Sequence, residues 1–309
     1  MRFLILIVFF FVLYTNSYGI TKEYNLIDKK LIIFTDSEIS NDLDYLIEKK
    51  FDAILSVIDV NEPDSFVSRF NELERNSQVS APDYFVDAFL ILKNYNKISK
   101  GSFDPTIFSI ISKSKKVKKI TKLLNTSSTR RCISMNNIKV KASNIFFKVQ
   151  ECTKLSFDSV ISGIVVENLK SLLVNNNISN FSIIYNGTIS NFNQTLDIKN
   201  YFDLQEKIYE IINFENIPTY SIYTFDNEIE TYHINKKNNQ IVDDNSIFIL
   251  VASDSIVNND ILSKTLNLSD FTKLNNSEYI NVNIPVFISF KVGTFTYYKH
   301  SRSFEKYLN

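Results

Sequence analysis

Gly101-Ser102-Phe103-Asp104-Pro105-Thr106 closes one element of the chain and opens the next. Upstream, Ala81-Pro82-Asp83 has the form of a helix start, and Phe85, Ala88, Phe89, Ile91, Leu92 and Tyr95 follow at three-and-four spacing. That spacing gathers them on one face of a helix running to about Ile98. Lys100-Gly101 ends it, because glycine enters the left-handed backbone past a helix C-terminus without steric cost. Asp104 before Pro105 is a turn former whose carboxylate accepts backbone N–H groups. An apolar stretch, Ile107 to Ile111, follows.

The same reading extends outward. Residues 39–58 carry Leu43, Leu46, Ile47, Phe51, Ile54, Leu55 and Ile58 at helical spacing, broken by Asn61-Glu62-Pro63-Asp64-Ser65. Further helices are expected from Val160 to Leu173 and from about Asn259 to Leu266, and Phe202 to Ile212 reads as a helix or an irregular insertion. Lys113 to Lys122 is a basic, solvated face. Ile138–Ala142 and Ile145–Val149 form a hairpin about Ser143-Asn144, and Phe181–Tyr185 ends at the turn signal Asn186-Gly187. Tyr220–Phe225, Glu228–Ile234 and Ile247–Ala252 are further strands. Val282–Lys291 and Thr294–Tyr298 close the chain as a hairpin. Helices and strands mix without strict βαβ alternation, which predicts the α+β class.

Composition bounds the rest. The chain has 309 residues, 44 % hydrophobic and 22 % charged, enough for one large domain. Lys+Arg and Asp+Glu both number 34, so no net positive field recruits nucleic acid. Met1-Arg2, an apolar run from Phe3 to Tyr14 and small residues at Ser17 and Gly19 read as a secretory signal peptide over 1–19. The other reading of that run is an uncleaved anchor. Export to a periplasmic or cell-envelope location permits a disulfide between Cys132 and Cys152, which flank the Ile138–Val149 hairpin. Two separate buried thiols are the alternative.

These pieces, in this order, resemble the ApbE family, the FAD:protein FMN transferases, from about residue 25 to residue 300. Ser65-Phe66-Val67-Ser68-Arg69-Phe70-Asn71 is similar to the family's S-x-[IV]-S-R-[LF]-N segment, and Gly101 to Thr106 to its G-[AS]-F-D-P-T segment. Four later landmarks are worn. Ser156 to Glu167 stands where the family has D-L-G-G-I-A-K-G-Y-A-V-D, keeping Gly163 but placing Asp158-Ser159 at the glycine pair and Ser162 at the lysine. Asn186-Gly187-Thr188 stands for N-A-G-G-D. His233-Ile234 begins the family's H-I-[IL]-D-P-R-T-G and then departs from it. Asn259 to Thr265 resembles A-D-A-L-S-T-A, with Asp260 kept, Lys264 at the threonine and Thr265 one residue late.

The resemblance implies a single domain over 20–309, built of mixed, mainly antiparallel sheet packed with helices. It implies transfer of FMN from FAD to a Ser or Thr hydroxyl of an acceptor protein, with release of AMP. Displacement at a diphosphate needs charge neutralisation, an oriented nucleophile and a base. By resemblance, Asp260 is a magnesium ligand and His233 the general base. Ser68, Arg69, Asn71, Phe103, Asp104, Thr106, Gly163, Gly187 and Lys264 contact the cofactor. A cap for Asp104, an ion pair for Arg69 and a structural hydrogen bond for His233 are the alternative roles. The changes at Ser162, Thr188, Asn235 to Asn238 and Lys264 also fit a family member that keeps the fold and binds flavin or protein without catalysis. Only 5 glycines are present, against the glycine-rich backbone that pyrophosphate binding recruits.

Overall fold

Side-chain alternation sets the layers. Along Ser246–Ala252, Phe248, Leu250 and Ala252 belong to one apolar cluster, while Ile249 and Val251 belong to another. Successive strand residues point to opposite faces, so both faces of this strand are covered. Leu31 and Ile33 against Ile32 repeat the pattern near the N-terminus. Such strands read as continuous apolar runs.

The computed structural model describes residues 19–26, 29–101, 103–113, 123, 126–194, 196–224, 234–235, 240–241, 246–266 and 284–309. Strands β1 (Ile20–Leu26) and β2 (Lys29–Thr35) open the chain. Helices α1 (Asn41–Ile58) and α2 (Phe66–Asn71) follow, then the short strand β3 (Val79–Ser80) and helix α3 (Asp83–Ile98). Short helices α4 (Phe108–Ile111) and α5 (Ser127–Arg130) lead to the hairpin β4 (Ile138–Ala142) and β5 (Ile145–Lys148). Helix α6 (Ile161–Asn175) precedes β6 (Phe181–Tyr185) and β7 (Thr188–Phe192). Helix α7 (Glu206–Ile211), β8 (Thr219–Thr224), β9 (Ile234–Asn235), β10 (Gln240–Ile241) and β11 (Ser246–Ala252) come next. Helix α8 (Ile256–Thr265), β12 (Val286–Val292) and β13 (Phe295–His300) finish the molecule.

Eight strands form one sheet in the order β1-β2-β6-β7-β8-β11-β12-β13, and its pairs are antiparallel. The class is therefore α+β, as expected. The long helices cover one face. Phe85 of α3 is the aromatic hub there, with ring centroids of Phe66, Phe70, Phe146 and Phe157 at 4.9, 5.1, 5.2 and 5.2 Å. Shorter segments containing Ile208, Phe214, Phe304 and Tyr307 cover the other face.

Helix ends follow the sequence signals. Ser40 caps α1 by accepting the Leu43 N–H, and Ser65 caps α2 by accepting that of Ser68. Lys100 and Gly101 both have positive φ at the end of α3, where the Gly101 N–H reaches back to the Asn96 carbonyl. Cys132 and Cys152 form a disulfide, which settles the two alternatives for those thiols.

Five strands among the described residues escape the sequence reading: β1, β2, β7 and the two-residue strands β3 and β10. β1 is an edge strand with polar residues on its outer face, and β7 buries Ser190 and Asn191. Neither shows the apolar alternation that marks a half-buried strand. The leader through residue 18, Ser102, residues 114–122 of the basic stretch, residues 225–233 with His233, Lys236 to Asn238, and residues 282–283 lie outside the described residues. No helix among the described residues is long and apolar enough to cross a membrane.

Candidate functional site

The expected site residues fall into two places. The first is a cleft of about 570 Å³ lined by Ser68, Arg69, Asn71, Phe108, Ser112 and Lys154, among others. Helix α2 supplies three of these, and the turn through Asp104 carries the chain into α4, which supplies Phe108. Ser68 donates its hydroxyl to the Val60 carbonyl at 3.2 Å. Arg69 is exposed, and its guanidinium holds the Asp64 carbonyl. Lys154 pairs with Glu72 at 2.6 Å on the same rim. Nothing in the sequence singles out Lys154; only the fold brings it beside α2.

Asn71 is committed inward. Its side chain donates to the Leu155 carbonyl at 2.8 Å and accepts the Leu155 N–H at 2.7 Å. The Asn71 carbonyl takes the ammonium of Lys148 at 2.6 Å. Lys148 is fully buried, and desolvation lowers its pKa from 10.5 to about 8.

Asp104 accepts both the N–H and the hydroxyl of Thr106 and caps the short turn Pro105–Ile107. Phe103, Asp104 and Thr106 are all buried, Phe103 within the main apolar cluster. Their described contacts shape the wall that leads to Phe108, and none of the three lines the cleft itself.

The second place is a buried corner where α6 crosses α8 beside the β6–β7 turn. The Gly163 N–H donates to Oδ2 of Asp260 at 2.7 Å. The Lys264 ammonium stands 2.7 Å from Oδ1 of Asp260, and it donates to the Asp158 carbonyl at 2.8 Å and to the Ser162 hydroxyl at 3.2 Å. The Thr188 hydroxyl shares a hydrogen bond with the Ser221 hydroxyl at 3.1 Å. Asn186 donates to Ser162 at 3.2 Å. Asn186 and Gly187 both have positive φ, as a type I′ hairpin turn requires. A Cβ on Gly187 would meet the Ile222 carbonyl oxygen at 2.3 Å. Burial pushes the Asp260 carboxyl up from its ordinary value, and the ammonium of Lys264 and the Gly163 N–H pull the other way.

So the fold gathers Gly163, Gly187, Asp260 and Lys264, and it gathers Ser68, Arg69 and Asn71. Asp260 and Lys264 do not line the cleft. His233 lies outside the described residues.

The ApbE family profile matches residues 23–277. The chain belongs to the ApbE family. Solved ApbE structures share the fold. Flavin Transferase ApbE from Vibrio cholerae superposes with a TM-score of 0.71 at 14 % identity, covering 94 % of this chain and 99 % of that one. The apo form of Pseudomonas stutzeri flavinyl transferase ApbE gives 0.72 at 13 %, covering 94 % and 97 %. The ApbE protein from Thermotoga maritima gives 0.70 at 12 %, covering 94 % and 99 %. No curated protein matches the chain.

The magnesium expected from the ApbE resemblance does not fit the donors present. Magnesium takes near-octahedral oxygen ligands at about 2.0–2.1 Å and keeps several waters. Here one Asp260 oxygen faces an ammonium and the other a backbone N–H. The two side chains are 0 % and 9 % exposed, which leaves no room for a hydration shell. Thr265, the displaced threonine, turns its hydroxyl to the Ile261 carbonyl of its own helix. No group of three or more His, Cys, Asp or Glu that could hold a metal occurs among the described residues.

Proposed function

We propose that this chain is a flavin transferase that takes FAD and passes FMN to a Ser or Thr hydroxyl of an exported or membrane protein, releasing AMP. The observation that carries the reading is the cleft in which Ser68, Arg69 and Asn71 meet Phe108, Ser112 and Lys154. It joins the two best-kept family segments, one directly and the other through the helix that follows Thr106. Its cations suit phosphate oxygens: Arg69 as a planar fork, Lys154 as a point charge. Phe108 supplies an apolar face for a ring.

In this reading the acceptor oxygen attacks the phosphorus that carries the flavin half of FAD. A new P–O bond forms, the bond to the AMP phosphate breaks, and AMP leaves with the electron pair. His233 takes the hydroxyl proton, a task suited to an imidazole that titrates near neutrality. Arg69 and Lys154 offset the phosphate charge, with Lys154 exchanging Glu72 for the ligand. Asn71 and Asp104 hold the walls in place. Export by a leader over residues 1–19 puts the domain, residues 20–309, in the periplasm or cell envelope beside its acceptor.

A second reading is an ApbE-like module that holds flavin or protein without transferring FMN. The closed Asp260–Lys264 corner and Ser162 at the lysine position favour it. One experiment separates the two. The mature chain is incubated with FAD and a candidate acceptor, and AMP and covalent flavin fluorescence are measured. AMP with flavin on the acceptor supports transfer. Bound FAD without AMP supports the flavin-holding form of the second reading, and absence of FAD binding sinks both flavin readings and leaves only the protein-binding form.

A further inference from the structure

We infer that Lys264 is the resident cation of the buried corner, and that the protein binds no divalent metal there. An ammonium has three N–H donors. Two donate hydrogen bonds, to the Asp158 carbonyl at 2.8 Å and the Ser162 hydroxyl at 3.2 Å, and the ammonium forms an ion pair with Oδ1 of Asp260 at 2.7 Å. These are three hard oxygens converging on one point, the donor chemistry that a small divalent cation would seek. The ammonium occupies that point from within the chain.

Helix geometry makes this possible. Asp260 and Lys264 are four residues apart, so their side chains share one face of α8. The pair is sealed by α6, whose Gly163 N–H takes the remaining carboxylate oxygen. A metal at Asp260 would stand beside a positive charge and displace a partner that costs no cofactor. Evicting the ammonium would also strand it, because the side chain is 9 % exposed.

The electrical consequence differs from that of a bound metal. A divalent ion on one carboxylate leaves net positive charge to offer a diphosphate. An ammonium on one carboxylate leaves none, and this one faces inward. Positive charge for phosphate then comes from the cleft, at Arg69 and Lys154.

The inference rests on reading this corner as the place where the family's cation would sit. Its test needs no flavin, so its failure and that of the transfer reading are distinguishable. The mature, disulfide-intact chain is titrated with Mn2+ and followed by electron paramagnetic resonance, and it is melted in Mg2+ and in EDTA. The wild type is expected to leave the Mn2+ signal free and to melt identically in both solutions. Lys264→Thr, which restores a hydroxyl beside Asp260, is expected to bind Mn2+ at least about tenfold more tightly than wild type, equivalent to about 1.4 kcal/mol. It is also expected to melt higher in Mg2+ than in EDTA. Mn2+ binding by the wild type that Asp260→Asn abolishes would overturn the inference, and so would a folded Lys264→Thr that gains no Mn2+. If that variant folds only with metal, the gain is demonstrated. If it folds under neither condition, the wild-type titration and melts decide alone.

Discussion

A methyl group on Gly163 would stand 2.6 Å from the Cα of Val257 and 3.1 Å from the Cβ of Asp260. Helices α6 and α8 therefore cross in backbone contact, and glycine is the side chain that permits it. Gly163→Ala is expected to destabilise the fold by about 1–3 kcal/mol, the usual cost of overpacking. Urea denaturation of the two proteins checks it, and an unchanged midpoint would show that the helices separate at no cost.

Asn71 ties α2 to the backbone at Leu155 through two hydrogen bonds. Asn71→Ala leaves a buried N–H and a buried carbonyl without those partners. A loss of about 2–6 kcal/mol is expected, at about 1–3 kcal/mol for each stranded group. Asn71→Asp sets a buried carboxylate oxygen against the Leu155 carbonyl, so at neutral pH it should cost at least as much as Asn71→Ala in the same measurement.

Lys148 gives the fold a pH dependence of definite sign. Its folded pKa is lowered from 10.5 to about 8 by burial. Between those values the unfolded chain binds the proton and the folded chain does not, so stability rises with pH. Burial pushes the phenols of Tyr185 and Tyr220 up, which works in the opposite direction once unfolded tyrosine ionises above about pH 10. The clean window is thus about pH 8 to 10, with a limiting slope of about 1.4 kcal/mol per pH unit. Lys148→Met should flatten it; denaturation at stepped pH reads both slopes.

Reducing the Cys132–Cys152 bond reopens a loop with a sequence separation of 20. A loop of that size is worth about 3 kcal/mol by chain entropy. The melting temperature should fall in dithiothreitol, and Cys132→Ser with Cys152→Ser should reproduce the fall without reductant. Equal melting with and without reductant would show that the hairpin holds itself closed.

If the cleft receives FAD, charge removal there should weaken binding without unfolding the chain. Arg69 is exposed, and Lys154 forms a rim ion pair, worth little to stability. Arg69→Ala and Lys154→Ala are each expected to weaken FAD binding about tenfold, equivalent to about 1.4 kcal/mol. Flavin fluorescence titration measures the binding, and denaturation confirms the fold. Unaltered affinity in both variants would place the ligand elsewhere.

Elements with strong periodicity were legible in the sequence. The three-and-four spacing of Leu43, Ile47, Phe51 and Ile54 gives α1, and Asn186-Gly187 gives the β6–β7 turn. β7 was not legible, because Thr188, Ser190 and Asn191 are polar residues buried by partners distant in sequence. Thr188 meets Ser221, and Asn191 meets the Ile217 carbonyl. The same limit governs the site. The motifs pointed to Ser68, Arg69, Asp260 and Lys264 one at a time. They carried no sign that Lys264 would turn its ammonium inward, or that Lys154 would arrive beside α2. Asp104 and Asn71 illustrate a further limit: a residue can mark a family segment while its side chain is spent on backbone.

The strand order carries a consequence for how the chain reaches this shape. β2 pairs with β6, Leu31 against Tyr185, so the first hairpin finds its neighbour only after the helical region between them has been made. Closing so long a loop costs entropy before any contact offsets it, and sheets assembled this way fold slowly. During synthesis the inner edge of that hairpin, Leu31-Ile32-Ile33-Phe34, stays open until the second half of the chain emerges. The order of manufacture and the order of assembly therefore run against each other, and a hairpin made before the helices waits for a strand made after them.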